Sequence, residues 1–287
     1  MSGPDAGSHE AAAARLPGAL VPFAADPARS ALFLDFDGTL SGIVVDPRAA
    51  RPLPGVPALL ADLARSLALV AVISGRPTAF LADALRTPPE VTLAGLYGLE
   101  RALHGPEHDA WATVIDEVVA EASATAPPGV YVEPKGLTVT LHWRQALDQE
   151  PWVLAFAERQ EAARGLVVHR GRHERELRPS LAVDKGTVVR SLVREHDEGA
   201  GAPATPAPLR HLAAFGDDVG DLPAFAALDQ LASEAGGRVD VVRVAAVDTE
   251  SPAEVAAQAD LTVRGAAGAV ALLRTLADAC AAAAAGR

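Results

Sequence analysis

The sequence predicts an α/β protein with a parallel-sheet core and a smaller α/β unit inserted into it. Three observations support this fold class: short apolar runs alternate with helical segments, segments of antiparallel character interrupt them in mid-chain, and the first pattern then resumes. Apolar runs without polar alternation are typical of parallel strands that are covered on both faces. We therefore expect a flexible N-terminal arm over 1–25, core segments over 26–103 and 180–287, and the inserted unit over 104–179.

The first core segment contains three predicted strands separated by helices. The apolar run Ala31–Leu34 predicts a buried strand, and leucines at helical spacing follow it. Pro77 lies in the first turn of the helix predicted at 77–85, a position that proline favours. In chain order, the predicted elements are a strand at 31–34, a helix at 54–67, a strand at 69–73, a helix at 77–85 and a strand at 91–93.

The inserted unit differs in its strand pattern. Apolar and polar residues alternate along Leu137–Trp143, which predicts a strand with one solvated or ligand-facing side. The elements predicted in this unit are a helix at 111–121, strands at 130–133 and 137–143, a helix at 151–163, and strands at 166–168 and 174–178. The core then resumes with a helix at 185–194, a strand at 212–215, a helix at 222–228, a strand at 239–244 and a final helix rich in Ala and Leu.

The composition excludes several classes of partner. The formal net charge is −12, from 25 basic and 37 acidic residues. Nucleic-acid backbones and anionic lipid head groups repel such a surface, so we expect neither nucleic acid nor membrane as a partner. The single cysteine, Cys280, cannot form an internal disulfide, which fits a reducing compartment. We see no secretory signal and expect a cytoplasmic location. The sequence does not indicate which oligomeric state the chain adopts.

The strongest chemical motif is Asp35-Phe-Asp-Gly-Thr39, which directly follows the first predicted strand. Open parallel sheets bind their ligands at this end of the strands. A tight turn at Gly38 can bring both carboxylates to one site, where they repel each other unless a cation joins them. We expect Asp35 to be a nucleophile and Asp37 a general acid and base, with Mg²⁺ between protein and phosphate. An ordinary turn after a strand is the alternative interpretation.

A second acidic motif, Gly216-Asp-Asp-Val-Gly-Asp221, follows the strand predicted at 212–215. Three carboxylates so close in sequence are costly to cluster without a metal ion, although a solvated turn is the simpler alternative. Both acidic motifs lie at strand ends of one parallel sheet. We therefore expect them to converge on a single Mg²⁺.

Two weaker motifs supply groups that can hold a phosphate. Ser74-Gly-Arg76 follows a predicted strand and precedes a helix, so Ser74 can offer its hydroxyl and backbone N–H to a phosphate oxygen, beside Gly75 and Arg76. A plain helix N-cap is the alternative for Ser74. Lys185, at the start of another predicted helix, can neutralise charge that develops on phosphate.

Asp35, Ser74, Lys185 and Asp217, in this order and each at a strand end or helix start, resemble the four motifs of the haloacid dehalogenase superfamily of phosphatases. The resemblance implies a Rossmann-like, haloacid dehalogenase-like core with an inserted cap domain. It also implies that a phosphate ester is hydrolysed through an aspartyl-phosphate.

The same resemblance implies a set of metal ligands. Members of the superfamily hold Mg²⁺ through the first aspartate, the backbone carbonyl of the second and the acid of the fourth motif. These ligands correspond to Asp35, Asp37 and Asp217, with Asp218 and Asp221 as outer ligands.

Four further stretches are similar to signature sequences of the trehalose-6-phosphate phosphatase family: Gly95–Glu100, Glu133–Gly136, Leu141–Arg144 and Glu176–Pro179. The resemblance implies that the substrate is trehalose 6-phosphate, a small-molecule sugar phosphate. It implies substrate binding by Gly75, Arg76, Glu100, Glu133, Lys135, Arg144, Glu176 and Arg178.

The chain departs from this family pattern at four positions. Tyr97 stands where the family usually has histidine, and Trp143 stands where it has tyrosine. In the last motif, Gly220 and Leu222 replace threonine and glutamate. The acids Asp35, Asp37 and Asp217 are retained, so the resemblance still implies phosphatase chemistry.

The residue types of the inserted unit suit a sugar. Glu133 and Glu176 can accept hydrogen bonds from neighbouring sugar hydroxyls, Lys135 and Arg144 can hold phosphate or ring oxygens, and Trp143 can offer a flat apolar face. A cross-strand ladder of ion pairs is the alternative. Two other functions stay open beside the trehalose-6-phosphate phosphatase: a phosphatase of another sugar phosphate, such as a sucrose or mannosylglycerate ester, and a non-catalytic sensor of trehalose phosphate.

Overall fold

The computed structural model describes residues 16–44, 46–171, 173–199, 206–249 and 251–286. Within these residues the strands are β1 (Ser30–Leu34), β2 (Leu69–Ile73), β3 (Val91–Ala94), β4 (Tyr131–Pro134), β5 (Val139–His142), β6 (Leu166–Gly171), β7 (Glu174–Pro179), β8 (His211–Gly216), β9 (Asp240–Val247) and β10 (Leu261–Arg264). The α-helices are α1 (Val21–Ala25), α2 (Val56–Ser66), α3 (Thr78–Leu85), α4 (Leu99–Ala102), α5 (Gly105–Thr125), α6 (Glu150–Arg164), α7 (Lys185–Asp197), α8 (Leu222–Glu234), α9 (Ala253–Ala257) and α10 (Gly265–Ala285).

The core is a parallel sheet. In the described part of the chain it has six strands, in the order β3-β2-β1-β8-β9-β10. β1 pairs with β2 on one side and with β8 on the other. The connections run outward from β1 in one direction and from β8 in the other, so the carboxyl ends of β1 and β8 flank the switch point at which open α/β sheets bind ligands. The predicted α/β class with a Rossmann-like core is confirmed.

β1 is apolar throughout because both of its faces are covered. Leu32 and Leu34 pack into the cluster formed with α2 and α10, whereas Ala31 and Phe33 pack into the cluster formed with α7 and α8. All four side chains are at most 2% exposed. Burial on both faces explains why this run lacks the polar alternation of a half-exposed strand.

A second sheet is antiparallel, with its described strands in the order β4-β5-β7-β6. Its apolar face, which includes Leu141 and Leu177, packs on α5 and α6. The alternation predicted for 137–143 holds only in part. Val139 and Leu141 pack into this core and His142 lies on the other side of β5. Thr138 and Thr140 on that side, however, are buried and not solvated. The sheet lies inside the region predicted as the inserted unit, 104–179; those exact boundaries remain a prediction.

The N-terminal arm predicted over 1–25 is wrong for residues 16–25. These residues form a 3₁₀ turn and α1, and Leu20 and Phe23 are fully buried in the core cluster. The Ala, Gly and Pro composition concealed this packing because only a few large side chains anchor the segment. Residues 1–15 lie outside the described residues, so the prediction is not tested there.

Several other elements differ from the predicted ones. α5 begins at Gly105 rather than at Trp111, because Pro106 occupies the first turn, where a missing N–H costs nothing. α4, α9 and β10 are short and were not predicted. α10 is long and apolar enough to cross a membrane by length and composition, but Leu273 and Leu276 pack it into the core.

We predict that Phe23→Ala lowers the free energy of unfolding by about 3–5 kcal/mol, because the side chain is fully buried. The measurement is urea unfolding followed by circular dichroism. Val21→Ala is the matched control, since Val21 lies in the same helix but is 50% exposed; its effect should stay within about 0.5 kcal/mol. Equal effects of the two substitutions would contradict the anchoring role of Phe23.

Candidate active site

A cavity of about 380 Å³ lies between the carboxyl edge of the parallel sheet and the antiparallel sheet. Residues from both sheets line it. The parallel-sheet side contributes Asp35, Asp37, Ser74, Gly75, Arg76, Lys185, Asp217 and Asp218, and the antiparallel-sheet side contributes Glu133, Lys135 and Arg144. The structure therefore brings together most of the residues that the sequence predicted for the site.

Three buried carboxylates form the centre of this cavity. Asp35 follows β1, whereas Asp217 and Asp221 follow β8, and the backbone N–H of Asp35 donates to Phe215 at 3.0 Å. Each of the three acids offers an oxygen within 4.8 Å of the other two. Their exposed fractions are 8%, 7% and 2%, respectively. The pairing of β1 with β8 therefore assembles the cluster.

Lys185 is the cation that neutralises part of this charge. Its ammonium group donates to Oδ1 of Asp35 and, at 2.6 Å, to Oδ1 of Asp221. Burial would lower the pKa of Lys185, but the two carboxylates outweigh it and the pKa is raised. Lys185 thus stays protonated. The capping box formed by Asp184 and Thr187 holds the first turn of α7 in place.

Two carboxylates of the cluster, Asp35 and Asp217, have pKa values above that of an exposed aspartate. Burial, followed by the charges of Asp221 and Asp37, raises the pKa of Asp35 to about 7 against the opposing effect of Lys185. Burial, followed by the charges of Asp35 and Asp221, raises the pKa of Asp217 to about 10. Asp35 and Asp217 lie too close to another negative charge to be ionised together without a further positive charge.

Gly38 allows the two acidic motifs to approach each other. Its φ is +77°, a conformation that favours glycine, and a Cβ atom at this position would lie 2.0 Å from Oδ2 of Asp217. No side chain fits there. The glycine in Asp35-Phe-Asp-Gly-Thr39 is therefore needed for close contact between the β1 and β8 ends as well as for the turn.

Asp37 lies in the same cavity but outside the cluster of three. The guanidinium of Arg76 donates to both of its oxygens at 2.8 Å, which is a bidentate ion pair. Asp37 is therefore placed to contact a substrate, while its carboxylate is held away from the other acids. A metal contact through its backbone carbonyl, as the resemblance implies, remains a prediction.

Asp218 and Asp221, which were both expected as outer metal ligands, differ in their surroundings, because only Asp221 lies in the cluster with Asp35 and Asp217. Asp218 Oδ1 accepts from the backbone N–H of Val219 at 2.7 Å and caps a 3₁₀ turn. Asp221 Oδ2 accepts from the backbone N–H groups of Asp217 and Asp218 at 2.9 and 3.1 Å. The turn at Val219–Asp221 brings Asp221 back into the cluster. The aspartates at both ends of this turn, Asp218 and Asp221, are the sequence feature that indicates a capped turn.

Ser74 lies at the bottom of the phosphate-binding motif and is 1% exposed. Its backbone N–H donates to Ala94 at 3.0 Å, and its hydroxyl oxygen accepts from the backbone N–H of Arg76 at 3.1 Å. The alternative interpretation of Ser74 as a helix N-cap is wrong, because α3 begins at Thr78 with Pro77 as its N-cap. The backbone N–H of Ser74 is not available to a phosphate either, because it pairs with Ala94 between β2 and β3. Ser74 nevertheless lies in the cavity wall.

The polar face of the antiparallel sheet forms the opposite wall. Lys135 Nζ lies 3.5 Å from Glu133 and 3.6 Å from Glu176. His142 bridges Glu133 and Glu174 at 2.8 and 3.2 Å. Burial would lower the pKa of His142, but these two hydrogen bonds outweigh it and the pKa is raised.

Sequence reasoning missed His142 and Glu174, which both line the cavity. The signal for His142 was present, because the alternation along 137–143 places it on the polar side of β5. Glu174 lies directly opposite His142 in the register of β5 and β7. Strand pairing, which the sequence does not specify, was needed to find Glu174.

Four predicted substrate contacts lie behind the cavity wall instead of in it. Glu100 accepts from the backbone N–H and the hydroxyl of Thr78 at 2.8 and 2.5 Å, and Arg178 donates to the carbonyl of Val183. Glu176 accepts from Thr138 at 2.8 Å. Trp143 is 2% exposed in the core of the antiparallel sheet and offers no face to a sugar. These contacts favour supporting roles.

The donor set fits a magnesium ion. Mg²⁺ prefers carboxylate and carbonyl oxygens, and the buried cluster supplies three carboxylates against the one ammonium of Lys185. A divalent cation would remove the remaining repulsion among Asp35, Asp217 and Asp221. These three side chains are the ones that would hold it.

Comparison with known proteins agrees with this arrangement. Residues 33–260 match the family model described as trehalose-phosphatase. The chain belongs to the trehalose-phosphatase family. Its curated relatives include the trehalose-phosphate phosphatases of Mycobacterium marinum, 37% identical over 209 residues, and Mycolicibacterium paratuberculosis, 40% identical over 212 residues. These matches cover 70% and 69% of this chain but 52% and 51% of the relatives, so the chain spans about half their length.

Solved structures of the family share the fold. An Aspergillus fumigatus trehalose-6-phosphate phosphatase is 26% identical with a TM-score of 0.58, and covers 92% of this chain and 98% of its own. The C-terminal domain of a Candida albicans trehalose-6-phosphate phosphatase is 22% identical with a TM-score of 0.69, at 93% and 99% coverage. The haloacid dehalogenase-like fold of the trehalose-phosphatase family is thus confirmed for this chain.

We predict that Mg²⁺ raises the thermal unfolding midpoint of the protein by about 5 °C at a concentration near one hundred times its dissociation constant. Asp217→Asn should abolish most of this increase, because it removes one of the three clustered carboxylates. Asp278→Asn, an exposed position on α10, is the control and should respond like the parent protein. An undiminished increase in Asp217→Asn would place the ion elsewhere.

Proposed function

We propose that the protein is a Mg²⁺-dependent phosphatase that hydrolyses trehalose 6-phosphate to trehalose and phosphate. The supporting observation is that Asp35, Ser74, Lys185 and Asp217 share one cavity with Glu133 and the other polar groups of the antiparallel sheet. The first set suits a phosphoryl group and the second suits sugar hydroxyls. Membership of the trehalose-phosphatase family supports the same substrate.

Asp35 is the proposed nucleophile. Its carboxylate attacks phosphorus, a bond forms between phosphorus and the Asp35 oxygen, and the bond from phosphorus to the sugar oxygen breaks. Lys185, which donates to Oδ1 of Asp35, favours the ionised form of this carboxylate and neutralises charge on the phosphoryl oxygens. Ser74 offers a further donor from the same wall.

Asp37 is the proposed general acid and base. It gives a proton to the departing sugar oxygen and then removes a proton from water, which attacks phosphorus and releases Asp35. To do so, Asp37 must break its ion pair with Arg76 and form a hydrogen bond to the leaving oxygen. Asp35, Asp217 and Asp221 would hold a Mg²⁺ ion, which would supply positive charge to the phosphoryl group.

Glu133, Lys135 and Arg144 are the proposed sugar contacts, because each lines the cavity. Glu100, Glu176 and Arg178 are proposed to act behind them: Glu176 holds Lys135, and Glu100 holds the loop that follows Gly75. A soluble sugar phosphate fits a cytoplasmic enzyme that has neither nucleic acid nor membrane as a partner.

The decisive test is phosphate release from trehalose 6-phosphate, sucrose 6-phosphate and a mannosylglycerate phosphate, each with Mg²⁺ and with EDTA. We expect Mg²⁺-dependent release from trehalose 6-phosphate above all. Preference for another sugar phosphate would overturn the substrate. Binding of trehalose 6-phosphate without turnover would indicate a sensor.

We predict that Asp35→Asn lowers kcat at least about a thousandfold, because an amide is a poor nucleophile. The variant should keep its circular dichroism spectrum, since Asn preserves the size of the side chain. Asp229→Asn, which alters an acid far from the cavity on α8, is the control. Retention of substantial turnover by Asp35→Asn would contradict the assigned nucleophile.

We predict that Glu133→Gln lowers kcat/KM for trehalose 6-phosphate about tenfold, the scale of one hydrogen bond to a charged group. The kcat/KM for p-nitrophenyl phosphate should not change, because that ester has no sugar hydroxyls. Glu158→Gln, on the exposed side of α6, is the matched control. Equal losses with both esters would remove Glu133 from sugar recognition.

A further inference from the structure

Tyr97 joins the phosphate-binding motif to the rest of the cavity. It lies in the turn between β3 and α4 with a φ of 55°, a left-handed conformation that is rare for a bulky residue and is typical of functional sites. Its backbone N–H donates to the carbonyl of Ser74 at 2.9 Å. A Cβ atom on Gly75 would lie 2.6 Å from its hydroxyl oxygen. The phenol therefore occupies the space directly above Gly75.

The ring of Tyr97 packs between two cations of the site. The guanidinium carbon of Arg178 lies 5.6 Å from the ring centroid and Nζ of Lys185 lies 6.0 Å from it. The electron-rich faces of the phenol stabilise both charges. These contacts fix the plane of the ring, so the position of the hydroxyl is fixed as well.

The hydroxyl of Tyr97 has no acceptor within the described residues, and the same holds for the backbone N–H of Gly75. Both groups belong to residues that line the cavity, beside Ser74 and Lys185. Burial raises the pKa of the phenol well above its usual value, so the hydroxyl keeps its proton. The wall thus presents donors that are ready for an anionic oxygen.

We propose that the Tyr97 hydroxyl donates a hydrogen bond to a phosphoryl oxygen of the bound ester, which makes Tyr97 a substrate-binding residue of the phosphate subsite. Its neighbours Ser74, Gly75 and Lys185 belong to the phosphate motifs, so the acceptor is the phosphoryl group and not the sugar. The proposal rests on the proposed phosphatase function but not on the identity of the sugar.

Gly220 is a neighbour of the phenol. A Cβ atom on Gly220 would lie 3.9 Å from Cε1 of Tyr97, which is an ordinary van der Waals contact. Tyr97 and Gly220 are two of the positions at which this chain departs from the family pattern of histidine and threonine. The larger residue at 97 and the smaller one at 220 therefore stand next to each other.

The test is Tyr97→Phe, which removes the hydroxyl and keeps the ring between Arg178 and Lys185. The dissociation constant of inorganic phosphate is measured by calorimetry in Mg²⁺. We expect binding to weaken about tenfold, with the same factor in KM for p-nitrophenyl phosphate and for trehalose 6-phosphate. Tyr131→Phe, which alters the other tyrosine of the chain, is the matched control and should change neither the phosphate dissociation constant nor KM for p-nitrophenyl phosphate.

An unchanged phosphate dissociation constant in Tyr97→Phe overturns the proposal, and so does a loss confined to trehalose 6-phosphate. If the parent protein hydrolyses no phosphate ester, the proposed function fails, but the phosphate titration still decides the role of Tyr97. Thermal unfolding midpoints are compared to confirm that the variants are folded.

A second set of variants tests the pair. Gly220→Thr should weaken phosphate binding in the presence of Tyr97, and the weakening should be smaller in the Tyr97→His background, where the ring is shorter. Independent effects of the two substitutions would contradict the fit of Tyr97 against Gly220.

Discussion

Charge compensation at the carboxyl edge of the parallel sheet governs how the residues of the site are arranged. Asp35, Asp217 and Asp221 are buried together, and one buried ammonium, Lys185, contacts two of them. Buried charges without partners are strongly destabilising. Two local features bring the three carboxylates close together. Gly38 has no side chain that would collide with Asp217, and the capped turn at Val219–Asp221 returns Asp221 to the cluster.

The antiparallel sheet applies the same principle to a different ligand. Its polar face pairs Glu133, Glu174 and Glu176 with Lys135 and His142, so few of its charges lack a partner. In the proposed function, a sugar that enters competes with these internal contacts. Selectivity then depends on sugar hydroxyls that replace the contacts with good geometry.

Much of the fold and of the site could be predicted from the sequence, and the failures have physical causes. The apolar run of β1 and the residues that follow it specify a buried strand and its acids locally, and Asp35, Asp37 and Lys185 lie where they were expected. Asp221 was underrated because its approach to Asp217 depends on a 3₁₀ turn. Glu174 depends on strand register. Glu100 and Arg178 belong to family motifs, but their hydrogen-bond partners, Thr78 and Val183, are found only in the three-dimensional structure.

The strand order has a consequence for how the chain reaches its working state. β1 must find β8, and Asp35 must find a lysine 150 residues further on, with the whole antiparallel sheet between them. Contacts of such long range form late in folding. On the ribosome, β1 therefore waits with one edge unpaired, a state that favours association with other chains. The cluster of Asp35, Asp217 and Asp221 is complete only when synthesis has passed residue 221, and mutations in the late strands should consequently impair the yield of folded protein.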